Sequence, residues 1–270
     1  MIHGQLEIAY KEAAIWASGV IIRTRLSPGV QYCASFYNLD MLRLDRSTSM
    51  GDIMNLLVVI CHPRRNSLTG VLADAFVEGL KQSGHGVESA DLHAENFDPR
   101  MAAVDEPDFD DADKTYSKEV RDEMARIERN DAIAMFFPVW WWSAPAMLKG
   151  WIDRVWNYGW AYGWAGTKAR IPLDKALMVA LGGSSREDFA SGGYDKLLDT
   201  QLRLGLMNYC GIDDVKLEII TDTLNENASF DLMIKHVYEL GSQFAWSGNI
   251  ENFDQNMDFR ERQVANPGIF

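Results

Sequence analysis

The sequence predicts an α/β protein built on a doubly wound, five-stranded parallel sheet with helices on both faces. Three observations carry that expectation. Five apolar runs alternate with amphipathic or charged helical segments, the pattern of successive βαβ units. The first of them, Asn55-Leu56-Leu57-Val58-Val59-Ile60-Cys61, is continuously aliphatic rather than alternating, as befits a strand covered on both faces. Polar, aromatic or glycine-rich loops then follow three of the strands, at 62–67, 138–143 and 182–193, so a parallel sheet brings them to one edge, where such sheets bind ligands.

Each element has its own signal. After the first strand, Ser67 stands as N-cap of a helix to about Lys81, with Leu68, Val71, Leu72, Ala75, Phe76 and Leu80 on one stripe. Gly84-His85-Gly86 ends it and a short strand, Val87 to Leu92, follows. Residues 93–116 are acidic, carry Pro99 and Pro107, and read as a long surface excursion; Asp105 to Asp113 is expected to be solvated, and His85 likewise. A charged helix from Ser117 to Arg129 leads to the strand Ala132 to Phe137, which Pro138 ends. A tryptophan turn precedes a helix expected from Ser143 to Trp156, with Pro145 in its first turn, where a missing N–H costs nothing. The loop Tyr158 to Gly166, the strand Lys175 to Leu181, a helix from Tyr194 to Tyr209, the strand Val215 to Thr221 and a helix from Ser229 to Gln243 complete the pattern.

Residues 1–53 fit this scheme poorly. They are expected to be either an appendage to the fold or the product of an early start codon, with the α/β domain occupying 54–245 and a tail following over 246–270.

Composition narrows the function classes. The 270 residues are 47% hydrophobic, enough for a substantial core, and carry a net charge of −13. That charge argues against nucleic acid and anionic lipid as partners. Cys33, Cys61 and Cys210 are odd in number and far apart, which predicts neither a disulfide framework nor a zinc site and suits a reducing, cytoplasmic location. No apolar run is long enough for a spanning helix, and no secretory leader is evident.

Three loops carry candidate chemistry. His62, Arg64, Arg65, Asn66 and Ser67 stand where a helix N-terminus offers free N–H groups to an anion; they suit a phosphate, and they also suit an ordinary N-cap beside a solvated basic loop. Neither a Walker phosphate loop nor a G-x-G-x-x-G follows the first strand. Pro138-Val139-Trp140-Trp141-Trp142 sets rings and backbone N–H groups side by side; a flat heteroaromatic could stack there, although core and subunit-contact roles compete. Gly182-Gly183 permits close backbone approach, or is simply a connection. Tyr162 and Trp164 could wall the same cleft, while His3, His93 and His236 have no evident partners.

From about Met54 to Gln243 the chain resembles the flavodoxin-like NAD(P)H:quinone oxidoreductases, a group spanning the mammalian DT-diaphorase type, bacterial modulator-of-drug-activity proteins and ancillary subunits of glutathione-gated potassium efflux systems. Four motifs carry the likeness: His62-x-x-Arg65-x-Ser67; Phe137-Pro138 with Ala144-Pro145-x-x-Leu148-Lys149-Gly150-Trp151 and Asp153-Arg154-Val155; Ala161-Tyr162; and Gly182-Gly183-Ser184. The resemblance implies the flavodoxin-like strand order 2-1-3-4-5 and a noncovalent flavin, usually FAD with FMN the alternative. His62, Ser67 and Leu68 would face its ribityl and phosphate portion, with Asn66 beside them. Pro138, Val139, Trp140, Trp141 and Trp142 would flank the isoalloxazine, and Leu181, Gly182 and Gly183 its pyrimidine side. Tyr162 and Trp164 match positions lining a pocket shared by nicotinamide and quinone, at the interface of a homodimer. In mammalian members a tyrosine and a histidine after the double glycine help stabilise charge on the reduced flavin; here the histidine position holds Tyr194 and the tyrosine position falls near Asp188 or Phe189. The implied activity is ping-pong, two-electron transfer from NAD(P)H to a quinone, with Tyr162 and Tyr194 as candidate catalytic residues. The alternatives are a flavin-binding regulatory subunit of a potassium efflux antiporter and a one-electron carrier.

Overall fold

A computed structural model describes residues 53–163 and 171–244. The expectations for residues 1–52, for Trp164 and for the tail 246–270 lie outside these residues.

Five strands, β1 (Asn55–Ile60), β2 (Gly86–Asp91), β3 (Ala132–Pro138), β4 (Lys175–Leu181) and β5 (Asp214–Ile220), form one parallel sheet in the order β2-β1-β3-β4-β5. Burial of β1 on both faces follows from its composition. Leu56, Val58 and Ile60 pack against helices α1 (Leu68–Gln82) and, near the end of the described chain, Phe230–Ser242, while Leu57, Val59 and Cys61 enter the core on the opposite face. That second face is covered by α2 (Lys118–Glu128) and α3 (Ala146–Val155). The sequence rule of period two in a strand thus sorts one run of aliphatic residues into two cores.

The helix starts are locally encoded. Ser67 caps α1, its hydroxyl accepting the Gly70 N–H at 3.3 Å, and Ser117 caps α2 in the same way through Val120. Gly84 turns the chain out of α1 at φ 89, a left-handed conformation that glycine adopts freely.

Four readings are corrected. The helix expected from Ser143 begins at Ala146, with Pro145 as its N-cap, because residues 140–143 are drawn into a tight hairpin. The loop expected to run unbroken from 182 to 193 contains a short helix, α4 (Arg186–Ser191), whose N-cap Ser185 accepts from Asp188 N–H. The helix expected over 194–209 is α-helical only in α5 (Tyr194–Leu198) and continues as π-helix over Asp199–Asn208. His85, expected in solvent, is buried, its Nδ1 accepting the Met54 N–H at 3.2 Å. A helix–turn glycine pair signals a bend but not what covers it; here the backbone entering β1 does.

The acidic excursion is likewise no free loop. Asp105 is fully buried, and the excursion is pinned to α3 by Arg154. Gly150 makes this approach possible, since a Cβ there would lie 2.2 Å from the Pro99 carbonyl oxygen. Trp151 is wholly buried and donates its indole N–H to Glu123 on α2 at 2.9 Å.

Candidate functional site

The strand order reverses direction between β1 and β3, and the loops leaving their carboxyl ends flank the crevice that forms there. After β1, the His62 ring turns back on its own loop. Its Nδ1 lies 3.0 Å from the Arg64 N and 3.1 Å from the Arg64 carbonyl oxygen, so the backbone of one residue holds the ring in place. Burial lowers the His62 pKa, against the Arg64 carbonyl and with the Arg64 charge and His93 adding to the depression, so the ring is neutral at pH 7. Arg65 pairs with Asp74 and lies 3.5 Å from Asp91, which spends its charge on the loop's own geometry. The Ser67 N–H bonds to the Arg64 carbonyl, the Gly70 N–H to the Ser67 hydroxyl and the Val71 N–H to the Ser67 carbonyl. The amides of Leu68 and Thr69 have no acceptor among the described residues, and they open the helix N-terminus toward an anion. Asn66 is exposed at the tip of this loop.

After β3 the chain makes a two-residue hairpin. Trp140 and Ser143 exchange backbone hydrogen bonds at 3.1 and 3.2 Å, leaving Trp141 and Trp142 as the two central residues at φ 53 and 58. Such a primed turn ordinarily takes Asn and Gly; a bulky side chain in left-handed backbone is strained. The three rings part company. Trp141 is 95% exposed and Trp140 47%, whereas Trp142 turns inward against Tyr194 and Phe189. The Trp140 ring approaches His62 at a centroid distance of 6.3 Å, joining the first two loops. In the turn, Trp140 N–H is used by Ser143 and Val139 N–H by Leu181, while the amides of Trp141 and Trp142 have no acceptor among the described residues. A strained turn at a strand end with two donors left without an acceptor among the described residues is a pattern associated with ligand contact.

After β4, the Gly182 N–H is bonded to Ile220 in the sheet at 2.8 Å. The space beside Gly182 that a Cβ would fill is taken by the Phe189 ring, 2.5 Å away, and that beside Gly183 by Leu224. These glycines make room for the protein's own side chains. Leu181, Gly182 and Gly183 nevertheless stand beside the hairpin, since Pro138 pairs in register with Leu181.

The structure thus gathers His62, Asn66, Ser67, Leu68, Pro138 through Trp142, Leu181, Gly182, Gly183 and Tyr194 along one edge of the sheet. Tyr162 sits elsewhere. It packs on Tyr158 and Tyr209 in a cleft of about 390 Å³ whose walls include Pro99, Met101, Trp156 and Leu206, and none of the three turn tryptophans lines it. Burial, then the neighbouring Tyr209, Cys210 and Tyr158, raise the Tyr162 pKa, so its hydroxyl keeps its proton at neutral pH. Cys210 lines the same cleft as a neutral thiol, its pKa pushed up to about 11 by burial, and Cys61, buried just after β1, is pushed up to about 12 for the same reason, so neither serves as a thiolate.

Sequence reasoning missed the Trp142–Tyr194 contact and the role of Phe189. Their only sequence signal was aromatic residues in two loops already expected to meet. His236, read as partnerless, is buried with Nε2 2.9 Å from Glu218 on β5, a pair behind the sheet rather than at its edge.

Residues 54–239 match the family described as having a flavodoxin-like fold. The chain is 38% identical over 169 residues to an uncharacterized NAD(P)H oxidoreductase, YcaK, of Escherichia coli, covering 63% of this chain and 84% of that one. It is 28% identical over 188 residues to NAD(P)H dehydrogenase [quinone] 1 of Rattus norvegicus, covering 62% and 69%. Among solved structures, the NAD(P)H:quinone oxidoreductase from Methanothermobacter marburgensis superposes with a TM-score of 0.67 at 28% identity, over 73% of this chain and 98% of the other. The chain belongs to the flavodoxin-like family.

Proposed function

We propose that this flavodoxin-like protein is a flavin-dependent NAD(P)H:quinone oxidoreductase that works as a homodimer. The observation carrying the proposal is the hairpin at Trp141-Trp142: strained backbone, two amides without an acceptor among the described residues and an exposed indole, set at the point where the sheet reverses and beside an open helix N-terminus. Those features fit a long, flat ligand with an aromatic ring at one end and phosphate at the other. They match the names of the relatives, which are oxidoreductases of NAD(P)H and quinones. FAD, with FMN the alternative, meets both requirements.

The residues divide the work. The amides of Leu68 and Thr69, the dipole of α1 and the ring of His62 would hold phosphate and ribityl oxygens, with Asn66 and Ser67 at the rim. The amides of Trp141 and Trp142 would donate to the polar edge of the ring system, where preorganised donors oppose developing negative charge. Pro138, Val139 and Trp140 would border the ring, and Leu181, Gly182 and Gly183 its far side. A bound flavin supplies the redox chemistry, accepting two electrons with hydride from NAD(P)H and passing them to a quinone in alternating half-reactions.

Tyr162, with a hydroxyl that stays protonated, suits a hydrogen-bond donor to an acceptor carbonyl. Its cleft and the tryptophan hairpin do not share walls within one chain. A second copy that brings Tyr162 of one protomer over the hairpin of the other completes a pocket, which favours the homodimer. Trp164, two residues on, would extend that wall.

The deciding experiment is the absorption spectrum of the purified protein, with the released cofactor identified by mass and NADPH oxidation followed with menadione. The expected result is a yellow dimer that reduces menadione with either nicotinamide coenzyme. A colourless protein that neither FAD nor FMN reconstitutes rejects the proposal. A yellow protein without menadione-dependent turnover rejects the activity and turns the assignment to a flavin-binding regulatory role.

A further inference from the structure

We infer that Tyr194 is a positioning residue that acts through the face of its ring: stacked on Trp142 and wedged in place by Gly192, it locks the hairpin after β3 to the loop after β4. The consequence for ligand binding rests on the flavin reading above; the brace itself does not.

The geometry is unusually complete. The Trp142 and Tyr194 rings lie parallel within 5°, their centroids 3.4 Å apart. Phe189 meets both rings edge-on, at 5.4 Å from Trp142 and 6.5 Å from Tyr194. Phe189 is itself fixed, buried over Gly182. The Tyr194 ring also lies so near Gly192 that a Cβ there would stand 2.3 Å from Tyr194 Cε2. Gly193, at φ 70, supplies the left-handed step that turns Tyr194 back toward the hairpin. A second tie runs from Ser143 Oγ to Gln201 Oε1 at 3.2 Å, joining the end of the hairpin to the π-helix that follows α5.

This brace answers a question posed by the hairpin. Two consecutive tryptophans at φ 53 and 58 persist only if the surroundings hold them there. Trp141, almost wholly exposed, contributes no holding contact, so the restraint comes from Trp142. The directions of the Trp141 and Trp142 amides are set by the turn. If the stack is lost, the turn relaxes and the two donors lose their aim. The Tyr194 hydroxyl has no part in this, which separates the inference from a role for Tyr194 in charge stabilisation.

Gly192 makes the test clean. Its φ of −78 is open to any residue, so Gly192→Ala places a Cβ where the Tyr194 ring lies and displaces that ring from its stacked position, with the Asp188 carbonyl oxygen 3.1 Å away giving slightly, without removing a group from the stack. The full-length wild type, Gly192→Ala, Tyr194→Ala and Tyr194→Phe are compared as apoprotein by near-ultraviolet circular dichroism, then titrated with FAD and with FMN. Gly192→Ala and Tyr194→Ala are expected to lose the aromatic signal of the stack and to weaken flavin binding about three- to tenfold, the range of an aromatic pair. Tyr194→Phe is expected to restore both. A Phe variant as impaired as the Ala variant assigns the effect to the hydroxyl and overturns the inference. So does a near-ultraviolet spectrum unchanged in Gly192→Ala and Tyr194→Ala, or a flavin affinity unchanged in both. A wild type that binds no flavin overturns the proposed function instead, and the spectra of the apoproteins still decide the brace.

Discussion

Arg154 Nη2 and Asp105 Oδ2 meet at 2.7 Å with side chains only 5% and 0% exposed, and this pair fastens the acidic excursion to α3. Arg154 also donates to the Asp98 carbonyl, lies 2.8 Å from Glu119 and stacks its guanidinium over Phe97 at 5.0 Å. Asp105 in turn accepts from the backbone and hydroxyl of Ser117, which starts α2. One buried ion pair therefore organises both the wall of the Tyr162 cleft and the entry to a helix.

Removing Asp105 takes away the one fully buried carboxylate of Arg154 and leaves its guanidinium with the half-exposed Glu119 and the Asp98 carbonyl. Asp105→Ala is expected to destabilise the protein by about 3–5 kcal/mol, and Arg154→Met together with Asp105→Leu by less than the two single changes combined. Urea denaturation of the wild type, Asp105→Ala, the two single changes of the pair and their combination measures this. A loss under about 1 kcal/mol for Asp105→Ala, the scale of a surface pair, means that the excursion is held by its other contacts.

The hairpin predicts a trade between stability and function. Trp141 is exposed and in left-handed backbone, so Trp141→Asn relieves strain without costing burial. The variant is expected to gain on the order of 1 kcal/mol in the cofactor-free protein and to retain flavin less well. Thermal melts with and without cofactor check both halves. Unchanged flavin retention removes Trp141 from the binding site.

Behind the sheet, the Glu218–His236 pair predicts an acid limit. Burial pushes the Glu218 pKa up, but the His236 hydrogen bond and the Lys216 charge outweigh it and hold the pKa below its ordinary value. A depressed carboxyl pKa means that the folded state binds this proton less readily than the unfolded chain does. The stabilisation is complete above the ordinary glutamate pKa of about 4.3 and is lost as pH falls through the lower, folded value. Melting temperatures between pH 7 and pH 3 are expected to drop more steeply below pH 4.5 for wild type than for Glu218→Gln, and parallel curves would refute the assignment.

A chain beginning at Met54 is expected to fold and to bind flavin as the full-length protein does. The first strand starts at Asn55, and among the described residues both cores are built from Met54 onward. Circular dichroism and the flavin absorbance of the shortened protein test this; insolubility or loss of cofactor rejects the reading of residues 1–53 as an appendage.

The convergence of the three loops is legible in the sequence. The loops at 62–67, 138–143 and 182–193 were placed on one edge by topology alone, and His62 and Trp140 do approach there. The long motif through Lys149-Gly150-Trp151 and Arg154, in contrast, marks packing more than ligand contact. Gly150 admits Pro99, Trp151 bonds Glu123, and Arg154 holds Asp105. Its neighbours in sequence say nothing of this, because every partner comes from 28 or more residues away.

By itself, the sequence determined the alternation of elements, the two-faced burial of β1, the serine caps and the strand ends where loops converge, all of which follow from periodicity and side-chain chemistry within a few residues. Only the tertiary structure decided that the three adjacent tryptophans have different fates, that the double glycine is filled by Phe189 and Leu224, and that Tyr162 packs on Tyr158 and Tyr209 in a cleft that the turn tryptophans do not line. Local pattern sets which way a strand's residues point; what a loop residue touches depends on segments brought to it by the sheet, and that information is nowhere local.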